Sequence, residues 1–263
     1  MPEGHTLHRV ARALRATFAG QVVEVTSPQG RFAGADLVDG RLLDDVTAHG
    51  KHLFAAFGDR IVHVHLGLFG KYAIGDGDPP APQGAVRMRW VADAGWADLR
   101  GPTACEVLSP SEVDAIVARL GPDPLRSGAD GQQAYARIAR SRAPIAGLLM
   151  DQAVLAGVGN VYRAEILYRH RIDPYLPGRL LDAPRWHVLW KDLVVLMRAG
   201  LRSGRIVTTE AGDRTRPHGR VLADDAFYVY RRTGLPCRVC ATPIAMQVLA
   251  ARKLYWCPTC QVS

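Results

Sequence analysis

Two Cys-x2-Cys pairs, Cys237 with Cys240 and Cys257 with Cys260, stand sixteen residues apart near the end of this 263-residue chain. Nothing else in the sequence constrains the fold so tightly. A tight turn presents two thiolates on one face, and two such turns complete a tetrahedral four-cysteine site for zinc. Pro236 and Pro258 help to set those turns. A redox dithiol is the competing reading of a single CxxC, but the doubled motif at this spacing favours one closed zinc centre. With sulfur in all four positions the metal is structural and offers no open site for catalysis. Cys105 lies far from both pairs and reads as a small core residue.

What the metal would hold up is the segment Ala250-Ala251-Arg252-Lys253-Leu254-Tyr255-Trp256, read as a β-hairpin tip and its return strand. Two adjacent cations there suit a DNA groove or a phosphate; a solvated turn is the other reading. The balance of charge points the same way. Lys+Arg exceeds Asp+Glu by 33 to 25, a net +8, which favours an acidic partner. The excess is nearly all arginine, since lysine occurs only at Lys51, Lys71, Lys191 and Lys253. No run approaches the roughly eighteen apolar residues of a membrane helix, and residues 2–5 lack an export signal. A cytosolic, reducing compartment and no membrane partner are therefore expected.

Upstream, the pattern changes twice. Leu7, Val10, Ala11, Leu14 and Phe18 make a helical stripe closed by Gly20. From Gln21 to about Leu99 the period becomes two, in short runs: 21–26, 41–47, 52–57, 61–66 and 87–91. Gly58-Asp59 reads as a hairpin turn. Many short strands with one leading helix predict a β-sandwich. A further helix is expected behind a capping box starting at Ser111, and Gly121-Pro122-Asp123-Pro124 breaks it as a hinge. Helices are then predicted over 131–141, 145–155, 161–171 and 184–201, followed by a mobile polar loop over 202–225. The expected domains are 1–121, a hinge at 122–130, 131–225 and 226–263.

Three local features carry chemistry. Removal of Met1 would expose the Pro2 amine, whose secondary nitrogen forms an iminium ion on attacking a sugar C1′; Glu3 beside it suits proton transfer. Gly157-Val158-Gly159-Asn160 links two apolar helices, and its unobstructed N–H groups at a helix start suit a phosphate; a plain interhelical turn is the alternative. Gly50-Lys51 reads as the start of a strand bearing one of the scarce lysines. His49, His52, His63 and His65 cluster nearby and read as core or groove-lining residues, with no metal assigned.

Together these segments resemble the formamidopyrimidine-DNA glycosylase/endonuclease VIII family of base-excision repair enzymes. The resemblance runs collinearly from Met1-Pro2-Glu3-Gly4 through His49-Gly50-Lys51 and His65-Leu66-Gly67-Leu68 to Leu120-Gly121-Pro122-Asp123-Pro124. It continues through Asp151-Gln152 and Gly157–Glu165 to the cysteine pairs with Arg252 between them. It implies an α+β, two-domain clamp: an N-terminal β-sandwich with a leading helix, and a C-terminal helix–two-turn–helix domain with a four-cysteine zinc-finger β-hairpin. It implies that Pro2 is the nucleophile and Glu3 handles protons, while Lys51 and Arg252 bind phosphate and assist catalysis. Asn160 would be a further phosphate ligand, Leu68 and Phe69 wedges that fill the gap left by a flipped base, and Glu165 a structural acid organising the turn. The implied partner is damaged DNA, bound by a monomer with one structural zinc ion and no small-molecule cofactor.

Two departures bear on substrate. His5-Thr6 stand where the family usually continues Pro-Glu, and Asp98–Thr103 lacks the Arg-x-Phe wedge loop of the formamidopyrimidine branch. The endonuclease VIII branch is closer, which implies oxidised pyrimidines removed through a Pro2 Schiff base with β,δ-elimination. A catalytically weak binder of lesions or single strands is the alternative, motivated by His5-Thr6. A zinc-ribbon protein of the RNA machinery is a third class, one that gives Pro2-Glu3 and Lys51 no role.

Overall fold

The computed structural model describes residues 2–262. Its contacts divide the chain into two compact units, with the boundary between Arg119 and Leu120. No helix among the described residues is long and apolar enough to cross a membrane.

The first unit opens with α1 (Gly4–Phe18), whose Leu7, Ala11, Leu14 and Phe18 are buried as the stripe requires. Nine strands follow: β1 (Val22–Thr26), β2 (Arg41–Leu42), β3 (Asp45–His49), β4 (His52–Phe57), β5 (Arg60–His65), β6 (Lys71–Gly75), β7 (Val86–Ala92), β8 (Gly95–Arg100) and β9 (Ala104–Leu108). They pair antiparallel into two sheets, β2-β1-β7-β8-β6 and β3-β4-β5-β9. This is the expected β-sandwich. The inward faces supply Val23, Val25, Leu53, Phe57, Val62, Val64, Met88, Trp90 and Leu99 to one core. Phe18 and Phe57 both meet Trp90 edge-on at 5.7 Å.

Three expectations need correction here. The run 41–47 is two strands, because the chain changes sheets at the fully buried Leu43: its N–H bonds the carbonyl of Gln21, just before β1 of one sheet, and the Asp44 N–H bonds that of Ala56 in β4 of the other. Strand structure also extends beyond Leu99 into β9. The helix after it, α2 (Pro110–Val117), is capped by Ser109 and not Ser111. Pro110 lacks an N–H and suits the first helical position, so the capping box forms between Ser109 and Glu112.

The second unit holds α3 (Gly131–Ile138), α4 (Ile145–Leu148), α5 (Asn160–Arg169), α6 (Ala183–Ser203) and a hairpin of β10 (Ala245–Leu249) and β11 (Arg252–Trp256). The expected helix over 145–155 stops after one turn. Beyond it Gln152 folds the chain around its own amide: Nε2 donates to the Met150 and Val158 carbonyls at 2.9 and 3.0 Å, and Oε1 accepts from the Gly157 N–H at 3.0 Å. The expected hinge belongs to this unit. The Gly121 N–H bonds the Gln152 carbonyl and the Ala156 N–H bonds that of Pro122. A Cβ at Gly121 would lie 2.3 Å from the Val154 carbonyl oxygen, so only glycine fits. Nearly all of α5 is buried, and Leu189, Leu193 and Met197 of α6 share its core. Asp182 caps α6, and Gly204 at φ 70° ends it. The loop expected to be mobile is pinned at both ends: Thr208, Thr209 and Asp225 are buried, and the Thr209 hydroxyl donates to the Asp225 carbonyl at 2.5 Å.

Candidate functional site

In the first unit, Pro2 is half-buried and immediately precedes Glu3, the N-cap of α1, which is fully buried. His5, in the first turn of α1, is also buried, and burial above all pushes its imidazole down to about 4, with Arg9 and His8 adding positive charge nearby. It is a neutral group at physiological pH. The sequence marks His5 only as a departure from the family pattern. It stands off the stripe of Leu7, Ala11, Leu14 and Phe18, so helical periodicity gives no sign of its burial.

Lys51 is not in a strand. Residues His49 and His52 pair across the β3–β4 hairpin, leaving Gly50-Lys51 as its two-residue turn. Gly50 takes φ 60° at the first turn position, the conformation for which a II′-type turn selects glycine. Lys51 is thus presented by a rigid ladder. Leu68 and Phe69 occupy the tip between β5 and β6, 42% and 85% exposed. Around them the backbone is sharply folded. Gly67 is at φ 63°, and the Gly70 N–H returns to the Leu66 carbonyl at 2.9 Å. Phe69 is therefore held almost fully exposed on a tight turn.

The second unit brings together residues that the sequence holds far apart. Asn160 Nδ2 donates to the Lys253 carbonyl at 2.9 Å, joining the Gly157–Asn160 turn to the hairpin tip. Arg163, fully buried one turn along α5, donates from Nη2 to the Asn160 Oδ1 and to the same carbonyl at 3.2 Å. Asn160 is itself buried, so its amide serves as a strut for the hairpin as well as lining the turn. Arg252 follows the tip and is exposed. Sequence reasoning missed Arg163; the available signal was its spacing of three from Asn160, which puts both on one helix face.

Glu165 is structural, but what it organises lies elsewhere than expected. Its carboxylate, fully buried, accepts from the backbone N–H groups of Tyr228, Val229 and Tyr230 at 2.7–2.8 Å and from the Thr208 hydroxyl. Burial raises its pKa while those four donors pull against the rise. It therefore shapes the chain leading into the first cysteine pair, not the glycine turn.

The four cysteine sulfurs all lie within 4.8 Å of one another. Cys237 to Cys260 is 3.9 Å and Cys240 to Cys257 is 3.4 Å. A tetrahedron with metal–sulfur bonds of about 2.3 Å has edges of about 3.8 Å, so the set fits zinc. Outer contacts are in place: the Tyr168 hydroxyl is 3.0 Å from Cys237 Sγ, and the Val239 and Cys260 N–H groups point at Cys237 and Cys257 sulfur. Gln261 ties the second knuckle down, accepting from the Cys257 N–H and donating to the Ile172 carbonyl.

Comparison with known proteins agrees with this geometry. Residues 1–104 match the profile of the formamidopyrimidine-DNA glycosylase N-terminal domain, 120–211 that of its H2TH domain, and 234–262 that of the zinc finger found in FPG and IleRS. The protein named endonuclease 8 1 of Mycobacterium tuberculosis is 52% identical over 270 residues, covering 99% of this chain and 100% of that relative. The chain belongs to the formamidopyrimidine-DNA glycosylase/endonuclease VIII family. A second member, the DNA-(apurinic or apyrimidinic site) lyase Nei2 of Mycolicibacterium smegmatis, is 38% identical over 272 residues, with both chains fully covered. Relatives named endonuclease 8 support that branch of the family. The MutM (Fpg) protein of Thermus thermophilus shares the fold at a TM-score of 0.80 and 27% identity, covering 99% of this chain and 98% of that one. This chain therefore carries the β-sandwich, the H2TH helices and four cysteines that hold one structural zinc ion. Zinc there supplies cross-linking of the two knuckles and no reactive water.

Proposed function

We propose that this member is a bifunctional DNA glycosylase and AP lyase that removes oxidised bases, pyrimidines in particular, from damaged DNA. The observation that carries the reading is the start of the chain: Pro2 lies at the N-terminal end of α1 beside the fully buried Glu3. The positive end of a helix dipole disfavours a cation, so it favours the neutral, nucleophilic amine. With Met1 removed, the Pro2 nitrogen attacks C1′ and the bond to the base breaks, the base leaving with the electron pair and taking up a proton. Glu3 handles the protons. The sugar opens to an iminium, an electron sink from which β-elimination expels the 3′ phosphate and δ-elimination the 5′ phosphate.

On this reading Lys51 and Arg252 hold phosphates near the lesion and assist the chemistry, and the turn at Asn160 adds a further phosphate contact. Leu68 and Phe69 fill the stack when the base is flipped. The exposure of both wedges and of Arg252 supports these roles. The enzyme would act as a monomer in the bacterial cytosol. Borohydride trapping on an abasic-site duplex tests the proposal: the protein should form a covalent adduct, an N-terminal tag that turns the Pro2 nitrogen into an amide should abolish it, and Pro2→Gly, which leaves a primary amine, should weaken it. Equal trapping by the tagged protein would refute the Pro2 assignment. A weak binder would instead shift the duplex on a gel while neither cutting it nor being trapped.

A further inference from the structure

Four histidines crowd one face of the sheet β3-β4-β5-β9. Leu53, Ala55, Phe57, Val62 and Val64 point into the core, so the alternating positions His52, Phe54, His63 and His65 take the other face. Cross-strand register sets His52 opposite His49 and His65, and His63 between Phe54 and Glu106 of β9. Two hydrogen bonds thread the group, one diagonal and one directly across the strands. His52 Nδ1 lies 2.9 Å from His63 Nε2, and His63 Nδ1 lies 2.9 Å from Glu106 Oε1. His63 is buried beneath a stacked Phe54 ring 5.2 Å away, whereas the Glu106 side chain is half exposed.

Donor logic sets the protons. A carboxylate only accepts, so His63 carries hydrogen on Nδ1. A neutral His63 then accepts at Nε2, His52 donates from Nδ1, and His52 Nε2 is a bare acceptor. One added proton reverses this. It enters at His52 Nε2, the Nδ1 proton of His52 crosses to His63 Nε2, and the charge comes to rest on His63 against Glu106. The neutral state of His52 is maintained because burial, followed by His63, His65, His49 and Arg119, pushes it down to about 3. His65 accepts from the Gly67 N–H at Nδ1 and is pushed down by burial, His63 and Lys51, which puts Lys51 within electrostatic reach of the group. The charged and titratable groups facing the ladder are thus His49 from β3, Lys51 from the turn, His65 from β5, Glu106 from β9 and Arg119 beyond α2.

We propose that Glu106, His63 and His52 form a proton-storing relay that adds or removes one positive charge behind the Lys51 turn, and so tunes its grip on phosphate. They are positioning residues, and the proposal rests on Lys51 being a phosphate ligand. Two measurements separate it from that reading. In the DNA-free protein, histidine 15N spectra should show His52 exchanging its Nδ1–H tautomer for Nε2–H as pH falls and His63 takes its second proton. Glu106→Gln should move the exchange to lower pH. A His52 tautomer unchanged across the titration overturns the relay. Separately, affinity for a duplex bearing a stable abasic-site analogue should rise about fivefold across the same pH window, with the window displaced downwards in Glu106→Gln. An undisplaced window overturns the coupling. Should Lys51→Ala bind as tightly as the parent at every pH, the phosphate-ligand reading fails while the spectra still decide the relay.

Discussion

The molecule presents two of its cations in or beside two-residue hairpin turns, Lys51 within one and Arg252 flanking the other, and the turns are built in opposite ways. At β3–β4 the turn is Gly50-Lys51, and glycine supplies the one left-handed residue. At β10–β11 Leu249 pairs with Arg252 across Ala250-Ala251, both left-handed at φ 49° and 59°. Left-handed alanine costs roughly 1–2 kcal/mol per residue, and Asn-Gly would form this turn far more readily. The first turn is encoded where it stands. The second is imposed by its surroundings: the Lys253 carbonyl is held by Asn160 and Arg163, Leu254 is buried, and β11 runs straight into the second cysteine pair. Position near Lys51 is thus set by local chemistry, and position near Arg252 by a metal and a buried network.

Removing the metal should break the comparison most severely. Zinc in small finger domains contributes on the order of 10–16 kcal/mol, so Cys240→Ser or chelation should release the ion, measured with a metal-binding dye, and abolish lesion binding. The β3–β4 hairpin should keep its amide protection in hydrogen exchange. Arg163→Ala comes next. It strips a buried donor from the Asn160 and Lys253 oxygens and should cost about 1–3 kcal/mol for each acceptor left unpaired, read by chemical denaturation of the second unit. Exchange protection at the tip should fall with it.

Acid should discriminate the units in the other direction. His5 is held at about 4 in the folded state against an unfolded value near 6.5, so its contribution is complete above pH 6.5 and is lost as pH falls towards 4. His5 should account for a loss on the order of 2–3 kcal/mol over that window, which His5→Asn should remove while the acid sensitivity due to His52 and His65 stays; an unchanged profile in that variant would remove His5 as a cause. Glycine scanning then tests the turns themselves. Gly50→Ala should destabilise by about 1 kcal/mol, whereas Ala251→Gly should stabilise by about as much. Like signs in thermal melts would end the distinction between an encoded and an imposed turn. Smallest in energy, Lys51→Ala and Arg252→Ala should each reduce the salt slope of DNA binding by about one unit.

The same contrast explains what is legible in the sequence. Period-two runs and the α1 stripe declare the sandwich, because each strand's pattern reflects its own burial. Cysteine spacing declares the zinc centre for an equally local reason. The helix expected over 145–155 fails because Leu148, Leu149, Val154 and Leu155 are apolar whether the chain is helical or wrapped around Gln152. Ser111 reads as a cap only until Pro110 is counted as the first helical residue, which gives the role to Ser109. The roles of Arg163 and Glu165 depend on partners some sixty to ninety residues away, at 228–230 and 253, a distance no local motif spans. The histidines are visible as a cluster, but the hydrogen-bond chain through Glu106 needs the register of β9.

One consequence follows from α5 and β11 lying side by side. Near one end Asn160 meets Lys253; near the other Tyr168 meets the cysteine cluster into which Trp256 leads. Eight residues of helix rise about 12 Å, and the three steps of strand from Lys253 to Trp256 cover about 10 Å. The two segments act as matched spacers between the same pair of anchors. Inserting or deleting a single residue in either would put them out of step, so this part of the chain should tolerate changes of side chain far better than changes of length.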